Sequence, residues 1–164
     1  MKKIFYFLLL MISHSFLYST DVVGLEVGNI IKPFKIYEYP SGKEFTENNF
    51  KGKMTILNFG TTWCPACLEE KKSLNSFMDN NKNLSINIVP VLIDSKENIK
   101  KYLDKEKFNY TFYEDKNMEV GNKFLIRGVP MTFILDENGG IVYKHLGAVN
   151  FESIKSIFEN LKEE

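Results

Sequence analysis

The chain has 164 residues, of which 21 are Asp or Glu and 21 are Lys or Arg, and it carries only two cysteines. Setting aside the first 20 residues leaves about 144, enough to bury one core and too few for two domains of ordinary size. The balanced charge, which falls to near −2 without Lys2 and Lys3, argues against a nucleic-acid partner, and with Arg127 as the sole arginine there is no arginine-built phosphate surface.

The chain opens with Met1-Lys2-Lys3, an apolar run from Ile4 to Ile12 and a small, polar stretch from Ser13 to Thr20, which is the pattern of a secretory signal. Nine apolar residues fall short of the roughly 20 that span a bilayer as a helix. Residues 1–20 are therefore expected to be a cleaved signal peptide, with retention as a membrane tether the other outcome, and residues 21–164 to form the domain. Residues 34–39 alternate in strand fashion, Pro40-Ser41-Gly42 signals a turn, and Lys43 to Thr46 can return as a second strand, giving an N-terminal ribbon. Met54 to Phe59 and Leu84 to Ile93 read as strands covered on both faces. Pro90 removes a ladder donor from the second of these, so a bulge or strand end is expected beside it.

Between those two strands the spacing predicts a helix. Its stripe runs Cys67, Glu70, Leu74, Phe77, Met78, which puts Glu70 in a core-facing position. Asp94-Ser95 can cap a second helix with Ile99, Tyr102 and Leu103 on its apolar face, and a short helix is expected around Glu119 to Leu125. Met131 to Leu135 and Ile141 to Leu146, separated by Asp136-Glu137-Asn138-Gly139-Gly140, read as an antiparallel hairpin. A last helix capped by Asn150 shows Ile154, Ile157, Phe158 and Leu161 to the sheet.

The two cysteines stand in Trp63-Cys64-Pro65-Ala66-Cys67, where the first buried strand gives way to the helix. A disulfide closing so short a loop removes little chain entropy, so a merely structural role is weak on physical grounds. A thiol at a helix start is instead activated by the dipole. An exported pair also meets oxidising conditions and closes unless something keeps it reduced.

Four segments resemble one known family: Val27-Gly28 to Phe34-Lys35-Ile36; Phe50 to Phe59; Trp63 to Cys67 with Glu70; and Arg127-Gly128-Val129-Pro130 running on to Gly139. They are similar to the thioredoxin-like superfamily, in its exported TlpA/ResA/CcmG branch of thiol-disulfide oxidoreductases, and span most of residues 27–147 in that family's order. The resemblance implies an α/β thioredoxin-like fold, a mixed central β-sheet flanked by helices on both faces, with the N-terminal β-ribbon as an extension. It implies an enzyme of the periplasm or another extracytoplasmic space that reduces protein disulfides, apocytochrome c among them, with a membrane thiol-disulfide protein as electron donor. No resident cofactor or metal is expected.

Within that frame Cys64, at the N-cap before Pro65, is expected to be the nucleophile and Cys67, one turn inside, the resolving thiol. The two form the redox-active disulfide. Glu70 is expected to exchange a proton with Cys67, because a desolvated carboxyl has a raised pKa suited to acid-base work near neutrality. Glu69 better fits a solvated helix residue. Gly128-Val129-Pro130 resembles the family's cis-proline loop, so Trp63, Pro65, Val129 and Pro130 make up the expected substrate-binding set, with Trp63 expected to pack beside the site. Asn58 occupies a place where cytoplasmic thioredoxins carry a buried acid, which leaves Glu70 as the proton carrier. Two departures stand out: Lys71-Lys72 replace a Met-Pro or similar pair, and Gly60 replaces a common aromatic residue, loosening the packing beneath the site. Two other functions compete. One is copper binding by Cys64, Cys67 and His145; the other is a thiol peroxidase that would cradle Cys64 with Thr61, Thr62 and Arg127.

Overall fold

The computed structural model describes residues 23–161, and the expected leader over residues 1–20 lies outside them. The strands are β1 (Val23–Gly24), β2 (Ile30–Ile31), β3 (Lys35–Tyr39), β4 (Glu44–Thr46), β5 (Met54–Gly60), β6 (Ile86–Leu92), β7 (Phe112–Glu114), β8 (Met131–Leu135) and β9 (Ile141–Leu146). The helices are α1 (Pro65–Asn80), α2 (Lys96–Lys105), α3 (Glu119–Lys123) and α4 (Phe151–Asn160). Seven strands form one mixed sheet in the order β4-β3-β7-β6-β5-β8-β9. Its centre, β5, β6 and β7, is parallel, and β3, β8 and β9 join it antiparallel.

Period-two alternation divides the core between the two faces. Leu57, Phe59, Val89, Val91 and Phe133 point to one face, where Val120 and Phe124 of the α3 region and Phe34 from the N-terminal segment cover them. Ile56, Ile88 and Ile134 point to the other, beneath Leu74 and Phe77 of α1 and Ile154 and Phe158 of α4. Helix α2 adds Ile99 over Leu92 and Phe112. The sheet is thus covered on both sides, and β5 runs through its middle toward the cysteines.

The ribbon forms as expected, with Lys35 opposite Thr46, but β3 also pairs with β7 and so belongs to the main sheet. Three-residue β7 has no sequence signal of its own and was not anticipated. Of the bulge or strand end expected beside Pro90, the bulge is absent, since Pro90 lies in regular register with Asn58, and β6 ends just beyond it at Leu92. The reason is geometric. Ile93 donates its N–H to Gly60 on β5, so by alternation the missing Pro90 donor faces β7, whose pairing begins only at Val91.

Candidate functional site

The Cys64-Cys67 segment begins where β5 leaves the sheet. Cys64 is the N-cap of α1 in extended conformation and Pro65 is the first helical residue, where its lack of an N–H costs nothing. The Cys67 N–H donates to Cys64 Sγ at 3.1 Å, so the Cys64 sulfur sits where an orphan helix donor and the dipole both favour negative charge. The two cysteines are joined in a disulfide, their Cα atoms 5.2 Å apart. Cys64 is 8% exposed and Cys67 is fully buried. Of the pair, only Cys64 retains any exposure.

Across from it lies the turn entering β8. The Val129-Pro130 peptide is cis, and the Val129 carbonyl oxygen is 3.9 Å from Cys64 Sγ. An open groove of about 410 Å³ separates the two walls, with Trp63, Cys64 and Pro65 on one side, Met118 and Val129 on the other. Pro130 itself is buried and does not line this groove. Trp63 differs from expectation more sharply: it is 73% exposed, so it does not pack beside the site. Thr61 takes the inward position of this loop, and Thr62 is tied to Asp94 through its hydroxyl at 2.5 Å and its N–H at 3.3 Å, which leaves the indole facing outward. Although burial opposes it, those two bonds and others from Asn98 and the Ser95 N–H hold the Asp94 carboxyl below its usual range.

Beneath the disulfide the sheet carries an unexpected polar cluster. Asn58 on β5 and Thr132 on β8 are direct cross-strand neighbours on the face that α1 covers. Glu70 descends onto them. Asn58 Nδ2 donates to Glu70 Oε2 at 2.8 Å, Thr132 donates to Oε1 at 2.8 Å, and the Val149 N–H before α4 reaches Oε1 at 3.3 Å. Glu70 is 1% exposed; desolvation pushes its carboxyl pKa up, against the pull of those hydrogen bonds and of neighbouring Lys71. Glu69, by contrast, is exposed and paired with Lys72 at 3.4 Å.

Lys71, part of the Lys71-Lys72 departure from the family pattern, is fully buried. Its Nζ donates to Asn58 Oδ1 at 3.4 Å, and desolvation lowers its pKa to about 8 against the attraction of Glu70. Gly60 explains how it fits. A Cβ at Gly60 would lie 2.5 Å from Lys71 Nζ, so the amine fills the space an aromatic residue would have taken and the expected loosening does not occur. The signal for Lys71 was its place four residues after Cys67, on the buried arc of the helix, beside a glycine on the facing strand.

The competing ligand sets are not assembled. His145 is exposed on β9 and stacks on Tyr143, and among the described residues no group of three or more His, Cys, Asp or Glu side chains is placed to share a metal. Thr62 is engaged with Asp94, while exposed Arg127 lines the same groove as Thr61 and Cys64 with no hydrogen bond to either among the described residues.

The chain is similar to known proteins over most of its length. The chain is 25% identical over 146 residues to the thiol-disulfide oxidoreductase ResA of Geobacillus thermodenitrificans, covering 88% of this chain and 83% of that protein. It is 28% identical over 149 residues to the thiol:disulfide interchange protein DsbE of Vibrio cholerae, covering 87% and 79%. In fold it matches the crystal structure of a DsbE-type thiol:disulfide interchange protein from Chlorobium tepidum with a TM-score of 0.75 at 20% identity, over 84% of this chain and 98% of that one. The Cys64-Cys67 pair is accordingly a redox disulfide of the thiol-disulfide oxidoreductase type. The model of the AhpC/TSA family matches residues 27–144, and the chain belongs to that thioredoxin-like family.

Proposed function

We propose that the protein is an exported disulfide reductase whose dithiol form donates two electrons to disulfides of other proteins. The observation that carries this reading is the asymmetry of the pair: Cys64 keeps some exposure and lines the groove, its Sγ held by the Cys67 N–H at 3.1 Å, whereas Cys67 is sealed. The Cys64 thiolate attacks a substrate disulfide, one substrate sulfur leaves as thiolate, and a mixed disulfide forms. Cys67 gives up its proton to the Glu70 carboxylate and attacks Cys64 Sγ; the internal disulfide closes and the second substrate sulfur departs. The substrate gains two electrons and the dithiol loses two. An extended segment of the partner lies in the groove between Trp63 and Val129, with Pro65 on the Cys64 side and Pro130 supporting the Val129 wall.

The family resemblance supports reduction as the direction and apocytochrome c as a substrate, with a membrane thiol-disulfide protein returning the electrons. The Met1-Lys2-Lys3 start and the apolar run behind it support export, as a cleaved leader over 1–20 ahead of the domain at 21–164 or as a tether.

The test is the equilibrium of the pair against a glutathione series, read by Trp63 fluorescence beside the disulfide. A midpoint near about −270 mV supports the reductase, and one near about −120 mV overturns that direction. Cys67→Ser should accumulate mixed disulfides with envelope proteins and Cys64→Ser should not; equal trapping by both contradicts the assigned roles.

A further inference from the structure

Lys71 has no part in the exchange steps given above, yet it is the one lysine buried completely among the described residues, and it lies against the resolving cysteine. The position an absent Gly60 side chain would occupy is 2.5 Å from Lys71 Nζ, 3.3 Å from Cys67 Cβ and 3.4 Å from Cys67 Sγ. The ammonium and the sulfur can be no farther apart than the first and last of these lengths laid end to end, with no residue between them at that point. We propose that Lys71 is a positioning residue for the dithiol exchange proposed above: its ammonium, seated in the space Gly60 leaves open, holds the Cys67 sulfur in its anionic form when it resolves the mixed disulfide.

The charge balance of the cluster explains why a lysine suits this place. Before resolution Cys67 is neutral, Glu70 is an anion and Lys71 a cation. When the proton passes from Cys67 to Glu70 the negative charge moves from carboxylate to sulfur, and Lys71 stands beside both. The buried cluster keeps a net charge of zero throughout, so no unpaired ion is created in a low-dielectric interior. Opposite unit charges roughly 6 Å apart at an effective dielectric of about 20 shift an ionisation constant by about a hundredfold.

The groups facing this cluster from other elements do not supply that charge. Asn58 on β5 and Thr132 on β8 are neutral hydrogen-bonding partners. Tyr110, ahead of β7, donates its hydroxyl to the Lys71 carbonyl oxygen at 2.8 Å, and burial pushes its pKa, like that of Tyr143 on β9, upward, so both remain protonated. The Val149 N–H completes the set. Glu70, Lys71 and Cys67 are left as the ionisable groups of the cluster that take part in the proton transfer.

The experiment uses the Cys64→Ser chain, which has a single thiol, and follows the thiolate ultraviolet absorbance of Cys67 against pH. Lys71→Met, close in volume and uncharged, should raise the midpoint by at least one pH unit, a tenfold loss of thiolate at fixed pH. Gly60→Ala, which displaces the ammonium without removing any charged group, should move the midpoint the same way by a smaller amount and serves if the first variant does not fold. Midpoints unmoved in the folded variants overturn the proposal. The titration needs no substrate, so it stands or falls separately from the reductase assay.

Discussion

Glu70 shows how one side chain can be held ready for proton transfer and still be fully satisfied. Its two oxygens accept from Asn58, Thr132 and Val149, which offsets part of the desolvation that raises its pKa. Such a carboxyl takes a proton more readily than an exposed glutamate does. Glu70→Gln keeps the size and removes the proton acceptor. It is expected to leave mixed-disulfide formation at Cys64 intact and to slow release of the second substrate sulfur by about a hundredfold, with the pH dependence of that step lost. Single-turnover release from a trapped mixed disulfide measures this; an unchanged release rate with the same pH profile would place the proton elsewhere. The core-facing position of Glu70 was legible from its spacing after Cys67, because Leu74 and Phe77 carry the same stripe onward. That of Lys71 was not: a lysine in a helix is ordinarily solvated, and only the glycine across from it makes room.

At the scale of elements, two helices on one face of the sheet hold the site from behind. Helix α4 packs Phe158 against Phe77 of α1 at 5.3 Å, and the turn before α4 supplies the Val149 N–H to Glu70. The fit of α4 therefore reaches Glu70. Phe158→Ala should cost about 3 to 5 kcal/mol of stability by opening a cavity between the helices, and denaturant unfolding measures it. A loss below 1 kcal/mol would mean that α4 docks loosely. The long apolar strands, the hairpin and the capped helices could be read from sequence because their periodicity runs for five or more residues, and the Asn150 cap is formed as expected, accepting from the Ser153 N–H at 2.9 Å. Strand β7 could not: Phe112-Tyr113-Glu114 is too short to show a period, and only the neighbours β3 and β6 define it as a strand. Pro90 sits inside its strand without a bulge because a proline is excluded only on the side where a partner requires its donor.

For the molecule as a whole, the buried pair beneath the disulfide should be visible in stability against pH. Desolvation lowers Lys71 from 10.5 to about 8, so between those values the unfolded chain binds more protons than the folded one and stability rises with pH. Glu70 is displaced upward instead; the folded chain holds the extra proton, and stability falls as pH rises through and above the ordinary carboxylate range. Comparing the oxidised protein with Lys71→Met isolates the lysine. The unmodified chain is expected to gain up to about 3 kcal/mol on the variant between pH 7 and pH 10, read from denaturant midpoints at each pH. A difference that stays flat would show that burial does not lower the pKa of this amine in the folded chain.

The complete burial of Cys67 beside a Cys64 that is 8% exposed has one more consequence, for traffic. Every electron pair entering or leaving the molecule passes through a single sulfur atom, that of Cys64. A partner that recharges the protein and a partner that discharges it must therefore dock at the same doorway, each waiting for the other to leave.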